Sequence, residues 1–145
     1  MINSSMQNFC DRVVGAGRIT AADVRILGRD LLPEGITSRD EADMLIALDR
    51  AVGQADAAFA DFLVAATVDF AVWGERPSGT IDREVARWLA ASIGNGRGPT
   101  ATGARIAFEI VREAQTCDES LVAFALVANR KTVDAQAAHG LRKAA

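Results

Sequence analysis

The sequence predicts an all-α fold: a single-domain bundle of six to seven helices built around two central apolar helices. Three observations predict it. Apolar residues recur at helical spacing along almost the whole chain. Capping residues stand in front of most of the periodic segments. The apolar–polar alternation of a half-buried strand is missing. With 145 residues the chain has the length of one domain, and its core needs no disulfide staples.

The elements follow in order. Residues 1–16 read as an N-terminal segment, partly flexible, ahead of a helical domain over 17–130. Val24, Leu27, Gly28 and Leu31 follow Thr20 at helical spacing until Pro33 and Gly35 stop the helix. Ser38 and Glu41 have the spacing of a capping box, in which hydroxyl and carboxylate each accept a free N–H. The stripe behind them is Met44, Leu45, Leu48 and Val52, and Gly53 ends it. Asp56 caps the segment 57–73, where Phe59, Phe62, Leu63, Ala66, Phe70 and Trp73 share one face and Val64, Val68 and Val72 the other. A helix apolar on both sides belongs in the middle of a bundle.

After Pro77-Ser78-Gly79, Asp82 caps a helix with Val85, Trp88, Leu89 and Ser92 on one stripe. Gly94 to Pro99 is the clearest loop. The helix over 101–114 turns Ala107, Ile110, Val111 and Ala114 inward and leaves Arg105 and Glu109 as an exposed i,i+4 pair. Thr116 and Glu119 have the spacing of a second capping box. Leu121 to Ala128 is apolar all round, the second central helix. Residues 131–145 read as a C-terminal tail or short helix.

Composition bounds the function. Sixteen Lys and Arg against 19 Asp and Glu leave a net charge of −3, without the concentrated positive face that nucleic acid requires or the polybasic patch of a membrane-surface anchor. The longest uncharged apolar stretch, Leu121 to Ala128, falls short of the roughly 20 residues of a membrane span. The N-terminus has no basic and apolar leader pattern, and Cys10 and Cys117 lack the density of a disulfide framework. The expectation is a cytoplasmic protein with reduced thiols, and no nucleic-acid or membrane partner.

Few residues carry candidate chemistry. Asp69 sits mid-helix between Val68 and Phe70, where a buried carboxylate must be paired, by Arg76 or Arg87, or serve a pocket. Trp73 and Arg76, at the end of the same helix, are the residue types of an interface anchor. Counting Asp30 as the first position of a calcium loop puts Glu34, Gly35, Ser38 and Glu41 at ligand-like spacing, although Leu32 stands where a third oxygen belongs. His139, the one histidine, has no converging partner for zinc or Cys-His chemistry. The Gly94–Gly98 loop lacks the lysine and preceding strand of a phosphate loop.

Three segments share a local pattern of Gly, Ile, a capping side chain and an acid in the first helical turn. They are Gly17-Arg18-Ile19-Thr20 with Asp23, Gly35-Ile36-Thr37-Ser38 with Asp40 and Glu41, and Gly79-Thr80-Ile81-Asp82 with Glu84. Over about residues 17–128 this resembles the TerB-like, tellurite-resistance-associated family. The resemblance implies a small all-helical domain of helix-loop-helix units tied to metal or stress responses, with acids proposed to hold a divalent cation. In this chain those acids gather around Glu34, Asp40 and Glu41. Val14, Arg18, Pro77 and Thr80 stand near the corresponding places of the other two units.

The sequence therefore points first to a non-catalytic interaction or stress-response module that associates with itself, as a homo-oligomer, or with a protein partner, without a cofactor. One alternative is a divalent-metal domain using Asp30, Glu34, Asp40 and Glu41. The other is an enzyme with Asp69 in a pocket.

Overall fold

The structure is a computed structural model that describes residues 3–130. Among these residues the chain forms seven helices in one bundle. They are α1 (Ser4–Ala16), α2 (Ala21–Ile26), α3 (Arg39–Ala51), α4 (Ala57–Asp69), α5 (Arg83–Gly94), α6 (Ala101–Glu113) and α7 (119–130). Both α2 and α4 end in a wider π turn, over Leu27–Leu31 and Phe70–Gly74. Four two-residue strands lie between helices: β1 (Arg18–Ile19), β2 (Gln54–Ala55), β3 (Thr80–Ile81) and β4 (Thr116–Cys117).

The first helix corrects one expectation. Asn3 accepts from the Met6 N–H at 2.8 Å and starts α1, and Met6, Phe9, Cys10 and Val13 then bury one stripe in the common core. Residues 4–16 thus pack into the same core as the helices after residue 17. The predicted segment 131–145 and His139 lie outside the described residues.

The strands expose an internal repeat. β1 pairs in parallel with β2, matching Arg18 to Gln54 and Ile19 to Ala55. β3 pairs in parallel with β4, matching Thr80 to Thr116 and Ile81 to Cys117. Each residue of the second pair stands 62 positions after its counterpart in the first. The offset holds without a gap through the helices: α3 and α6 begin at 39 and 101 and end at 51 and 113. It relates Gly17 to Gly79, Ile19 to Ile81, Leu27 to Leu89, Ala42 to Ala104, Asp56 to Asp118 and Phe62 to Phe124. Repeat one is α1, α2, α3 and the first half of α4; repeat two is the end of α4, α5, α6 and α7. Of the three Gly-Ile segments, the first and third are the true counterparts. Ile36 is buried like Ile19 and Ile81, but Gly35–Ser38 belongs to neither strand pair.

Local capping follows the sequence, with two shifts. Thr20 and Asp23 form a reciprocal capping box, the Thr20 N–H donating to the carboxylate and the Asp23 N–H to the hydroxyl. Ser38 accepts from Glu41 at 3.2 Å, but the Glu41 carboxylate reaches one residue further back, to the Thr37 N–H and hydroxyl. Thr116 is not a cap. It lies in β4, its hydroxyl bonded to Thr80, and Asp118 takes the Ser120 N–H at the start of α7.

α4 is central, as its composition predicts. Phe59, Leu63 and Thr67 are fully buried, and α4 packs against α2, α3 and α6. With its π turn it is long and apolar enough, over Ala57–Gly74, to cross a membrane by length and composition. Its place between two repeats accounts for the same composition by packing on several sides. α7 is not central: Leu121, Ala125 and Ala128 face the core, while Leu126 and Val127 face outward. Composition alone cannot separate these cases, because an apolar helix at the end of an array looks like one in its middle.

Side chains from α3 tie the repeats together. Arg39 forms ion pairs with Glu75 through Nε and with Glu84 through its two terminal nitrogens at 2.6 and 2.7 Å, and lies 4.8 Å over the ring of Trp88. Trp88 donates to Asp43 at 2.8 Å and meets Phe70 edge to face. Arg50 donates to the Ser92 and Ile93 carbonyls at the end of α5, where a cation suits the helix terminus. Thr100 accepts from Gly103 at the start of α6 and donates to Asp49 at 2.6 Å.

Candidate functional site

Two grooves related by the repeat run along the surface, one between α1 and α3 and the other between α4 and α6. Residues four apart stack on one helix face, and this builds the second groove. Asp61, Ala65, Asp69 and Trp73 form the row on α4 and its π turn, and Arg105, Glu109 and Glu113 the row on α6. Val64 and Val68 form the floor, and the groove holds about 430 Å³. Four carboxylates line it against one guanidinium. Arg105 is bonded to Asp61 at 3.0 Å, and Glu109 approaches Arg112 at 3.6 Å. The predicted Arg105–Glu109 pair does not form, because α4 brings Asp61 within closer reach of Arg105.

Asp69 is exposed on this groove, which corrects the expectation of a buried carboxylate. Val68 and Phe70 are apolar, but sequence neighbours on a helix point about 100° apart, so their burial says nothing about the residue between them. Trp73, projected onto the core stripe, is instead 40% exposed at the groove's end. The π turn explains this. The Glu75 N–H donates to Phe70 five residues back, so the last turn widens and the 3.6-residue projection no longer applies. The Trp73 ring lies against Gly79, where a Cβ would stand 3.2 Å from its edge. Trp88, by contrast, is half-buried with its N–H satisfied. Arg76, the other predicted anchor, is exposed in the following loop, before a cis bond to Pro77, and does not line the groove.

The predicted calcium-type acids do not gather at one point. Asp30 is paired with its neighbour Arg29, and Glu34 is exposed in the turn after α2. Asp40 is exposed in the first turn of α3, and Glu41 accepts from Thr37. Among the described residues, no three His, Cys, Asp or Glu side chains gather around a point where a metal ion could sit.

The α1–α3 groove is the apolar counterpart, about 440 Å³ lined by Cys10, Val14, Met44, Ala47, Leu48 and Ala51, with Gln7 and Asp11 at its edge. Both thiols are unbridged. Burial, reinforced by Asp11, pushes the Cys10 thiol up, and burial with Asp118 does the same to Cys117. Neither cysteine has the depressed pKa of an activated nucleophile.

Sequence reasoning missed Asp61 and Glu113, and took Glu109 only as an exposed partner of Arg105. The i,i+4 row Asp61–Ala65–Asp69–Trp73 was readable, but its facing row on α6 becomes visible only when the two helices lie side by side. Comparison with protein-family models, curated proteins and solved structures gave no match to the chain.

Proposed function

We propose that the chain is a non-catalytic association module whose α4–α6 groove takes a cationic segment of a protein partner. The observation that carries this is Trp73, exposed at the end of a groove with four carboxylates against one guanidinium. Each part suits such a guest. The valine floor takes the aliphatic stems of lysine or arginine. The carboxylate rows meet their charged heads, and an exposed tryptophan face attracts a cation worth about 0.5–1 kcal/mol at an open site. Complementary charge of this kind sets on-rate and partner choice more than raw affinity.

The test is fluorescence anisotropy of a labelled, lysine- and arginine-rich 15-residue peptide titrated with the full chain. Binding that weakens steeply as salt rises, and that falls about two- to fivefold in Trp73→Ala and at least tenfold in Glu109→Lys/Glu113→Lys, supports the reading. Binding equal to that of an acidic control peptide, or unchanged in either variant, overturns it.

A further inference from the structure

The 62-residue repeat says what should cover apolar side chains that α6 and α7 expose. In repeat one, Ile46 on α3 and Val64 on α4 are buried, 3% and 6% exposed. Val64 lies in the groove where α4 meets α6, and α3 is joined to α5 through Asp43–Trp88 and Arg50. Shifted by 62, these positions are Phe108 on α6 and Leu126 on α7, which are 49% and 62% exposed. Bulky apolar side chains thus stand exposed at the positions where the first repeat buries its own.

The surface that would cover them also exists on this chain. Repeat two receives repeat one on α5 and α6, whose counterparts are α2 and α3. Glu109, opposite Val64, corresponds to Ala47, which is exposed in the apolar α1–α3 groove beside exposed Val14. One charge pair can re-form across the contact, by exchange with Arg29, which holds Asp30, and Glu109, which Arg112 approaches. Arg50 reaches across to the end of α5; its counterpart Arg112 is exposed, and the corresponding end of α2 carries exposed Asp30. We infer that a second copy of this chain docks its α1–α3 groove on the α6–α7 face, a head-to-tail contact that continues the junction between the two repeats.

Such a contact is heterologous, so each copy keeps one free face of each kind and association propagates. It uses surfaces outside the α4–α6 groove and stands or falls independently of the peptide-binding reading.

The experiment is sedimentation of the full chain with two surface variants, Leu126→Asp and Ala47→Asp, each checked by circular dichroism for unchanged helicity. The wild type is expected to associate beyond a dimer as concentration rises, and each variant alone to stay monomeric. An equimolar mixture of the two variants should form one 1:1 complex, because each retains the face the other has lost. A wild type that is monomeric at millimolar concentration overturns the inference. So does association that survives in either variant alone, a closed wild-type dimer, or a variant mixture that stays monomeric.

Discussion

The backbone N–H of Asp118 donates to the carbonyl of Ile81 at 2.8 Å. Sixty-two residues earlier, Asp56 makes the same bond to Ile19, also at 2.8 Å. Each bond closes a two-residue parallel bridge, and in each the aspartate starts the helix that follows while the isoleucine points into the core. The bridges are far too short to be stable alone. They persist because two helix starts and a buried isoleucine depend on each of them.

Ile19→Ala and Ile81→Ala should therefore cost similar amounts, about 2–5 kcal/mol each, as truncations at fully buried sites. Urea unfolding monitored by circular dichroism measures this. A cost below about 1 kcal/mol at either site would show that the bridge does not anchor its loop.

The two glycines that open these loops should differ. Gly17 and Gly79 both have positive φ, 75° and 81°, so alanine at either site carries about 1–2 kcal/mol of backbone strain. Around Gly17 a Cβ would meet nothing within 4 Å, whereas at Gly79 it would lie 2.7 Å from the Gln115 side chain and 3.2 Å from the Trp73 ring. Gly79→Ala should be the more destabilising change and should shift tryptophan emission, while Gly17→Ala should leave emission unaltered. Equal unfolding midpoints for the two variants would contradict the crowding at Gly79.

Acid should loosen the start of α2. Burial opposes the charge of Asp23, but the Thr20 N–H and hydroxyl and the Arg12 guanidinium at 3.0 Å outweigh it and hold the carboxyl below its ordinary range. A lowered native pKa means that the unfolded state binds the proton first as pH falls. The contribution is complete above the unfolded value of about 3.9 and is lost as pH drops through the lower native one. Asp23→Asn should cost about 1 kcal/mol at pH 7, the scale of a capping interaction. The gap in melting temperature between the two proteins should narrow below about pH 4. A gap that stays constant down to pH 2 would separate Asp23 from this linkage.

Much of the fold was legible in residues that act over one helical turn. Thr20, Ser38, Asp56 and Asp82 each start the helix assigned to them, because a cap is a bond between a side chain and an N–H two or three residues away. The Gly-Ile motif was visible too, but Gly35-Ile36 resembled the other two segments closely enough to hide which pair was equivalent. Comparison of the chain with itself at an offset of 62 separates them. Of the candidate site, Trp73 was named, and the structure leaves it exposed. Asp69 was identified with the wrong environment, Glu109 only as an exposed partner of Arg105, and Glu113 not at all.

By itself, then, the sequence determined the all-α class, the helix starts and the apolar stripes, since each depends on contacts within a few residues. Tertiary structure decided which helices are neighbours. It joined Ile19 to Asp56 and Ile81 to Asp118, turned Asp69 and Trp73 outward onto a groove, and left Leu126 and Val127 of α7 exposed. The physical reason is that burial belongs to a pair of surfaces. Periodicity describes one of them, and only packing supplies the other.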